Sequence, residues 1–269
     1  MQAEAEHNLI LGLARRLTES TDGYDPPIYL ATVEDADGVV GCAYRTPPYK
    51  FGLTGMPEEA VPFLVDAAAD VYASLPTALG PTAVARCFAE HWSRKKGVRA
   101  REGMRQRIYQ LDAVTPPAHP APGHLRLADA NDVDLVTTWI DAFSDDTGAR
   151  RSDARGSDPR GQAERLIGKQ ALYLWEDERP VSMAGWTGQT PNGVRVSAVY
   201  TPPEYRGRGY ATTCVAALSQ RMLDTGLSLC FLYTDLSNPT SNSIYQRIGY
   251  RPVRDVTDFD FEDALEDDS

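Results

Sequence analysis

Apolar and polar residues alternate along this chain with two periods, one near two residues and one near 3.6 residues, which predict strands and amphipathic helices. In the C-terminal half the periods predict the order β-α-α-β-β-β-α-β-α-β-β. Such a mixture of strands and helices indicates an α/β domain. The predicted strands are 124–128, 171–175, 181–188, 194–200, 229–233, 250–253 and 256–261, and the predicted helices are about 130–144, 161–169, 210–224 and 239–248.

The N-terminal half follows a similar order with different residues. Its repetition of the order predicts a structural duplication whose two copies have diverged in sequence. The predicted helices are about 4–19, 57–74 and 82–95, and the predicted strands are near 28–33, 38–45, 50–54 and 104–112.

The clearest boundary is the segment Val114–Gly123, VTPPAHPAPG, which has four prolines in ten residues. Proline stiffens the chain and removes hydrogen-bond donors, so this segment predicts an extended linker. We therefore expect an N-terminal domain at 1–113, a linker at 114–123 and a C-terminal domain at 124–269. Both predicted domains have ordinary sizes.

Composition is that of an ordinary globular protein, with 269 residues of which 42% are hydrophobic and 24% are charged. No apolar run approaches the roughly 20 residues that cross a bilayer, and the first segment lacks the basic start of a signal peptide. The four cysteines form no CxxC pair and have no histidine at metal-ligand spacing, which favours reduced thiols and no metal. We expect a cytoplasmic protein without a membrane partner, either a monomer or a homodimer.

The net charge of −11 is concentrated at the C-terminal end. The last fifteen residues carry eight acidic side chains and no basic one, which is typical of a solvated tail. A basic run from Arg94 to Arg107 could bind RNA or a phosphate, but no nucleic-acid motif accompanies it. A solvated helix end followed by a strand is therefore favoured for that run, and no nucleic-acid partner is expected.

The stretch Thr201–Thr212, TPPEYRGRGYAT, joins a predicted strand to a predicted helix. The N–H groups in the first turn of a helix lack intrahelical acceptors, and the helix dipole favours an anion there. Gly207 and Gly209 let a phosphate approach the backbone because they carry no Cβ atom. Arg206 and Arg208 add guanidinium donors. The stretch predicts a site for a pyrophosphate or a phosphorylated nucleotide, although it is neither a dinucleotide fingerprint nor a P-loop.

A second polar segment, LYTDLSNPTSNSIYQRIGYRPV, begins near the end of the predicted strand 229–233. Asn238 precedes Pro239, which suits the first turn of a helix, and Gly249 suits the end of that helix. Tyr245 lies two turns into the helix. It is either a core tyrosine or a functional one, and the phosphate loop that precedes it favours the functional interpretation.

These two segments together resemble the GNAT superfamily of acyl-CoA N-acyltransferases, and they are similar to its FR47-like branch in particular. The resemblance is strong over 194–254 and extends over 124–269. It implies an α/β fold with two tandem GNAT-like domains, each a mixed, mostly antiparallel central sheet flanked by helices. The N-terminal domain would be a degenerate copy, because it has LTGMPEEAV where the glycine loop is expected.

The resemblance also implies roles for individual residues, with acetyl-CoA as the acyl donor. Main-chain N–H groups of the glycine loop would hold the pyrophosphate of coenzyme A, and the strand at Val199 and Thr201 would pair with the pantetheine amides. This arrangement requires the strands 194–201 and 229–234 to splay apart. The implied coenzyme A contacts are Val199, Thr201, Arg206, Gly207, Arg208, Gly209, Tyr210, Ala211, Thr212, Asn238 and Tyr245.

Acyl transfer to an amine requires charge stabilisation and two proton transfers. The backbone N–H of Val199 is expected to stabilise the developing oxyanion, and Tyr245 to protonate the departing thiolate. The strand VRVSAVY offers no glutamate as general base. A water chain that touches Ser197 or Tyr200 is the remaining hypothesis for the base. Substrate selection is expected to depend on the loop 144–160 and on the first domain.

Three functions stay open at this point. The favoured one is acetyl transfer from coenzyme A to an amine of a small molecule. The alternatives are transfer to a protein N-terminus or lysine, and a non-catalytic regulator that binds acyl-CoA. The tandem plan also resembles mycothiol synthase-type enzymes, but no residue in the sequence identifies that acceptor.

Overall fold

A computed structural model describes residues 2–22, 24–147 and 158–263 of the chain. The strands are β1 (Tyr29–Asp35), β2 (Gly38–Arg45), β3 (Phe51–Leu53), β4 (Thr77–Pro81), β5 (Val98–Leu111), β6 (His124–Leu127), β7 (Leu172–Asp177), β8 (Arg179–Thr187), β9 (Gly193–Tyr200), β10 (Leu229–Asp235) and β11 (Arg251–Asp263). The helices are α1 (Gln2–Glu6), α2 (Asn8–Glu19), α3 (Val61–Val71), α4 (Thr82–Lys96), α5 (Val133–Thr147), α6 (Pro159–Gly168), α7 (Tyr210–Asp224) and α8 (Pro239–Arg247).

The chain forms two compact units. Within the described residues, unit 1 comprises 2–13, 109–147, 158–234 and 238–253, and unit 2 comprises 14–22, 24–108, 235–237 and 254–263. Each unit has a mixed, mostly antiparallel sheet flanked by helices, as the sequence predicts.

The sheet of unit 1 has the strand order β10-β9-β8-β7-β6. Strands β6 to β9 pair in an antiparallel manner, whereas β9 and β10 are parallel. Alternate residues of β7 point into two separate cores, because successive side chains of a strand face opposite sides. Leu172 and Leu174 pack with α5 and α6, and Tyr173 and Trp175 pack with α7.

Helix α1 and the first half of helix α2 belong to unit 1. The predicted helix over 4–19 is two helices, α1 and α2, separated at His7. Ala5 packs against Leu229 and Phe231 of β10, and the Asn8 side chain donates a hydrogen bond of 3.0 Å to the Tyr233 hydroxyl. The side chains of Leu229, Phe231 and Tyr233 lie on one face of the sheet. The N-terminal segment therefore covers part of that face.

Unit 2 has the strand order β1-β2-β3-β4-β11-β5, and α3 and α4 pack over it. Its core contains the stacked rings of Phe51, Phe88 and Trp92. Strand β11 joins this unit from the far end of the chain, with Val256 opposite Pro81 and Asp260 opposite Thr77 in an antiparallel register.

The domain bounds 1–113 and 124–269 stay a prediction, and the contacts group two terminal segments differently. Residues 2–13 belong to unit 1, with most of the C-terminal half of the chain. Residues 254–263 of β11 belong to unit 2, with most of the N-terminal half. The two short strands expected at 250–253 and 256–261 are one strand, β11. A hydrophobic period predicts that a strand exists, but it does not predict the distant strand with which it pairs.

The acidic end of the chain is only partly the solvated tail that its composition suggests. Asp255 pairs with Arg107 at 2.6 Å, Asp258 pairs with Lys50, and Arg101 pairs with Glu262 at 3.2 Å. Several acids of β11 thus neutralise cations of unit 2, including part of the basic run 94–107. These ion pairs agree with the structural interpretation of that run. The last residues, 264–269, lie outside the described part of the chain.

Candidate functional site

A bulge in β9 marks the centre of the candidate site. Met183 of β8 lies opposite Tyr200, and Gly185 lies opposite Ser197, so Ala198 and Val199 together face a single residue of β8. Ala198 adopts a φ of +50°, which is unusual for a residue other than glycine. A bulge of this kind interrupts the ladder and re-aims the backbone. It lies at the position where the sequence predicts a catalytic N–H at Val199.

Strands β9 and β10 separate directly before this bulge. Their parallel register contains three residue pairs, which end with Phe231 opposite Arg195. Beyond them, Val196–Tyr200 and Leu232–Asp235 have no register with one another in the described structure. The opening leaves backbone groups of β9 available to an added strand. A separation of the strands 194–201 and 229–234 is what the resemblance to GNAT proteins implies.

The glycine loop continues from the end of β9 to the start of α7. Gly207 and Gly209 have φ values of +77° and +83°, in the left-handed region that favours glycine. Gly209 is the residue before the helix, and no described side chain caps the helix. The N–H groups of Tyr210, Ala211 and Thr212 therefore lack intrahelical acceptors and form a site suited to an anion.

The two arginines of the loop differ in their surroundings. Arg206 donates from Nε to the Thr201 carbonyl at 2.9 Å and from its terminal nitrogen to the Asp146 carboxylate. Arg208 is exposed, and its guanidinium lies 6.0 Å from the centre of the Tyr205 ring. No carboxylate in the described residues pairs with Arg208, so it is the arginine available to a phosphate.

Hydrogen bonds of two side chains, Tyr210 and Thr213, hold the start of α7 in place. The buried Tyr210 donates a hydrogen bond from its hydroxyl to Asp177 at 2.6 Å. The Thr213 hydroxyl accepts a hydrogen bond from the Ala121 N–H at 2.9 Å, which anchors the proline-rich segment. Tyr210 thus contributes its backbone, rather than its side chain, to the anion site. Neither Asp177 nor Thr213 was identified from the sequence, because no local pattern links them to the loop.

Tyr245 lies on α8 within the core beneath α7. Its ring packs edge-on against Tyr250 with 5.9 Å between the ring centres. Burial raises the pKa of Tyr245 to about 12, so the phenol is protonated at neutral pH. Asn238 begins this helix, and its Oδ1 accepts a hydrogen bond from the Ser241 N–H at 3.0 Å.

The residues of the proposed water chain lie on β9, but they differ as candidates. The Ser197 hydroxyl is half-buried and lies 3.4 Å from the Thr187 hydroxyl. Tyr200 is buried beside Trp139, and burial raises its pKa. A raised pKa makes Tyr200 a poor proton acceptor at neutral pH, whereas Ser197 remains suited to holding a water.

The candidate selectivity loop is only partly described. Asp146 accepts a hydrogen bond from Arg206 of the glycine loop. Asp158 accepts a hydrogen bond of 2.9 Å from the Gly161 N–H at the start of α6. The intervening residues 148–157 of this loop lie outside the described residues.

Comparison with known proteins bears on the fold. Residues 174–258 match the family model of FR47-like protein. An acetyltransferase of the GNAT family from Colwellia psychrerythraea is 12% identical with a TM-score of 0.57, covering 93% of this chain and 96% of that one. A Drosophila protein is 12% identical with a TM-score of 0.64, covering 98% of this chain and 97% of that one. No curated protein sequence matches the chain.

A third structure is a GCN5-related glucosamine N-acetyltransferase region of a fungal multi-domain β-N-acetylglucosaminidase. It is 14% identical with a TM-score of 0.54, covering 94% of this chain and 34% of that one. These likenesses establish the fold, so the resemblance to GNAT proteins and the predicted fold class are confirmed. That the two units are tandem copies stays a prediction.

Two further observations concern the described residues alone. None of their helices has the length and apolar character that a bilayer crossing demands. They also contain no group of three or more histidine, cysteine and carboxylate side chains arranged to hold a metal ion.

Proposed function

We propose that the protein is an N-acyltransferase that moves an acetyl group from acetyl-CoA to an amine of a small molecule. The observation that carries the proposal is the combination of the bulge at Ala198–Val199 with the early separation of β9 from β10. An opening of this kind accepts an extended, amide-containing arm as an added strand. The helix start at Tyr210 lies at the end of the same strand and loop, where a pyrophosphate would bind.

The donor fits the residues that surround the opening. The exposed, uncapped start of α7 supplies backbone N–H groups, and Arg208 supplies an exposed cation beside them. A side chain at position 207 or 209 would be strained because both backbones are left-handed. Acetyl-CoA supplies the thioester whose carbonyl carbon the amine attacks.

The chain's own groups then act on charge and protons. The Val199 N–H stabilises the negative charge that develops on the thioester oxygen. Tyr245, whose phenol is protonated at neutral pH, gives a proton to the sulfur as the C–S bond breaks, and the second proton that the attacking nitrogen loses restores the phenol. Ser197 orders the water that takes a proton from the ammonium group of the acceptor.

The choice of a small-molecule acceptor has separate support. The fungal region with the same fold is described as a glucosamine N-acetyltransferase, which acts on a small amine. We extend that substrate class, but not glucosamine itself, to this protein.

A transfer assay tests the proposal. The purified protein is mixed with acetyl-CoA and a panel of small amines, amino sugars and short peptides, and free thiol and acetylated product are measured together. The proposal predicts amine-dependent thiol release with matching product, which Tyr245→Phe lowers and Tyr173→Phe does not. Tyr173 is a suitable control because it is a buried tyrosine of the same unit whose hydroxyl pairs with Arg221. Acetyl-CoA binding without transfer to any amine would favour the regulator, and acetylation of peptides alone would favour a protein acceptor.

A further inference from the structure

One cation on the sheet of unit 1 is not used by the proposed donor site. Arg195 lies on β9, opposite Thr187 of β8 and two residues before Ser197. The three residues are partly exposed, and paired or alternate strand residues share a face of the sheet. They therefore form a polar row, defined as Thr187, Arg195 and Ser197.

The polar row lies on the face away from the donor helix. Leu172 and Met183 point to the same side as this row by the register of β7, β8 and β9, and both pack against α5 and α6. Helix α7 packs against the opposite face, through residues such as Val196. The acceptor amine must approach the thioester from the side that the donor leaves free, and the polar row occupies that side.

The surroundings hold Arg195 in place without neutralising it. Its Nε and Nη2 lie 3.3 Å and 3.2 Å from the Thr187 hydroxyl oxygen, and its guanidinium lies 6.0 Å from the centre of the Tyr233 ring. No carboxylate in the part of the chain that the structure describes forms an ion pair with Arg195. Glu4, an acid of α1, instead accepts hydrogen bonds from Thr190 and Asn192.

An arginine in this setting is suited to an anion. Guanidinium has five N–H donors, and a single hydroxyl partner leaves most of them available for the planar oxygens of a carboxylate or phosphate. Tyr233 is fixed by Asn8 and lies beneath the guanidinium, which restricts the orientation of Arg195. A positioned, uncompensated cation at a partly desolvated surface favours an anionic ligand group over a neutral one.

The spacing along β9 places this cation within reach of the reacting centre. Arg195 precedes Val199 by four residues, which is about 13 Å along an extended strand. The guanidinium lies beside Thr187 and Gly188, at the level of Arg195 on the strand, so this distance separates it from the Val199 N–H. An extended acceptor with about 7 Å between its amine and its anionic group can therefore contact both, once a hydrogen-bond distance of about 3 Å is allowed at each end.

We propose that Arg195 binds a carboxylate or phosphate group of the amine acceptor, so that the protein selects small amines that carry a negative charge. This inference rests on the proposed function and names the substrate class of the same site. Thr187 and Tyr233 are positioning residues, because they orient Arg195 rather than touch the acceptor. Ser197 lies between the anion site and the acyl group.

Matched pairs of amines test the inference. Binding to the protein saturated with coenzyme A is measured for 5-aminopentanoate against pentylamine, and for O-phosphoethanolamine against ethanolamine. The first pair reports a carboxylate and the second a phosphate. The comparison is repeated in Arg195→Gln, in Arg195→Lys and in the control Arg165→Gln, which replaces an exposed arginine of α6.

The inference predicts that wild-type protein prefers at least one anionic compound over its neutral partner by about tenfold or more. Arg195→Gln removes the preference, Arg195→Lys keeps part of it, and Arg165→Gln keeps all of it. If Arg195 had only a structural role, its replacement would change the affinities for both members of a pair together. The ratio of the anionic compound's affinity to that of its neutral partner therefore isolates the charge contact. Equal affinity for both members of each pair in wild type, or a preference that survives Arg195→Gln, would overturn the inference.

The same experiment separates this inference from the proposed function. Coenzyme A affinity is measured first, in wild type and in each variant. If wild type does not bind coenzyme A, the proposed function fails, and the paired amines are then tested without it. If coenzyme A binds equally in wild type and Arg195→Gln but no anion preference exists, only the inference about the acceptor fails.

Discussion

The guanidinium group of Arg206 donates a hydrogen bond to the carboxylate of Asp146, which ties the first arginine of the glycine loop to the end of α5. Its Nε is engaged by the Thr201 carbonyl at 2.9 Å. Two arginines that are equivalent in sequence therefore have different roles. Arg206 shapes the loop, and Arg208 is available for the ligand.

This difference predicts unequal effects on acetyl-CoA affinity. Arg208→Ala should weaken binding by about tenfold, because it removes a charge-assisted contact to phosphate. Arg206→Ala and Asp146→Asn should weaken it by less than about threefold, since exposed ion pairs contribute little. Dissociation constants at low and moderate salt check the order. A larger loss in Arg206→Ala than in Arg208→Ala would show that the Asp146 contact breaks when the ligand binds.

Tyr245→Phe should reduce kcat by about 10²-fold to 10⁴-fold and leave acetyl-CoA affinity nearly unchanged. The phenol acts as an acid, so it must be protonated, and burial raises its pKa to about 12. Its proton is therefore retained as the pH rises from 6 to 10, and Tyr245 should cause no loss of kcat over that range. A pH–rate profile of wild type and variant checks this. An alkaline decline in wild type that disappears in Tyr245→Phe would contradict the assigned pKa direction.

The bulge predicts opposite outcomes for two substitutions of Ala198. Ala198→Gly should preserve activity and stability, because glycine adopts a φ of +50° without strain. Ala198→Val should lower both, because a β-branched side chain is strongly disfavoured at positive φ. Thermal unfolding and kcat report the two effects. If both variants kept full activity, the bulge geometry would not be needed for catalysis.

A partly buried ion pair of unit 1 predicts a pH-dependent loss of stability. Arg126 donates two hydrogen bonds to Asp132, at 2.7 Å and 2.8 Å, and these lower the pKa of Asp132. Asp132→Asn should reduce the free energy of unfolding by about 2 kcal/mol at pH 7. A lowered pKa contributes stability that is complete above the unfolded value near 4 and is lost as the pH falls through the folded value. The difference between wild type and variant should therefore shrink below about pH 4.

Asp134→Asn is the matched control for that measurement. Asp134 lies in the same stretch, and its ion pair with Arg160 is exposed on both sides. The unfolding midpoint of Asp134→Asn should stay close to that of wild type across the pH range. Equal losses in the two variants would mean that helix charge, rather than the Arg126 pair, causes the effect.

Local sequence signals predict much of this fold. The periods of apolar residues anticipate β7 to β10 and α7 closely, and the pair Gly207 and Gly209 marks the loop because its left-handed backbone requires glycine. The bulge at Ala198 has no such signal, because an alanine occupies the unusual conformation. Its existence depends on the register between two strands, which composition does not encode.

Longer-range relationships escape the sequence for the same reason. Arg206 and Arg208 have similar neighbours in the sequence, and only the fold brings Asp146 to one of them. Arg195 is an ordinary polar position of an amphipathic strand until Thr187 and Tyr233 are placed beside it. The pairing of β11 with β4 joins segments that are more than 170 residues apart in the chain. Such contacts follow from the topology rather than from any window of residues.

Calorimetric titration with acetyl-CoA and with acetyl-pantetheine tests the central claim most directly. The two ligands share the thioester and the amide arm, but only acetyl-CoA carries the pyrophosphate and nucleotide. If the start of α7 and Arg208 hold the pyrophosphate, acetyl-CoA should bind with micromolar affinity and acetyl-pantetheine about 100-fold more weakly. Absence of binding at millimolar acetyl-CoA, or equal affinity for the two ligands, would contradict the assignment of this loop as the donor site.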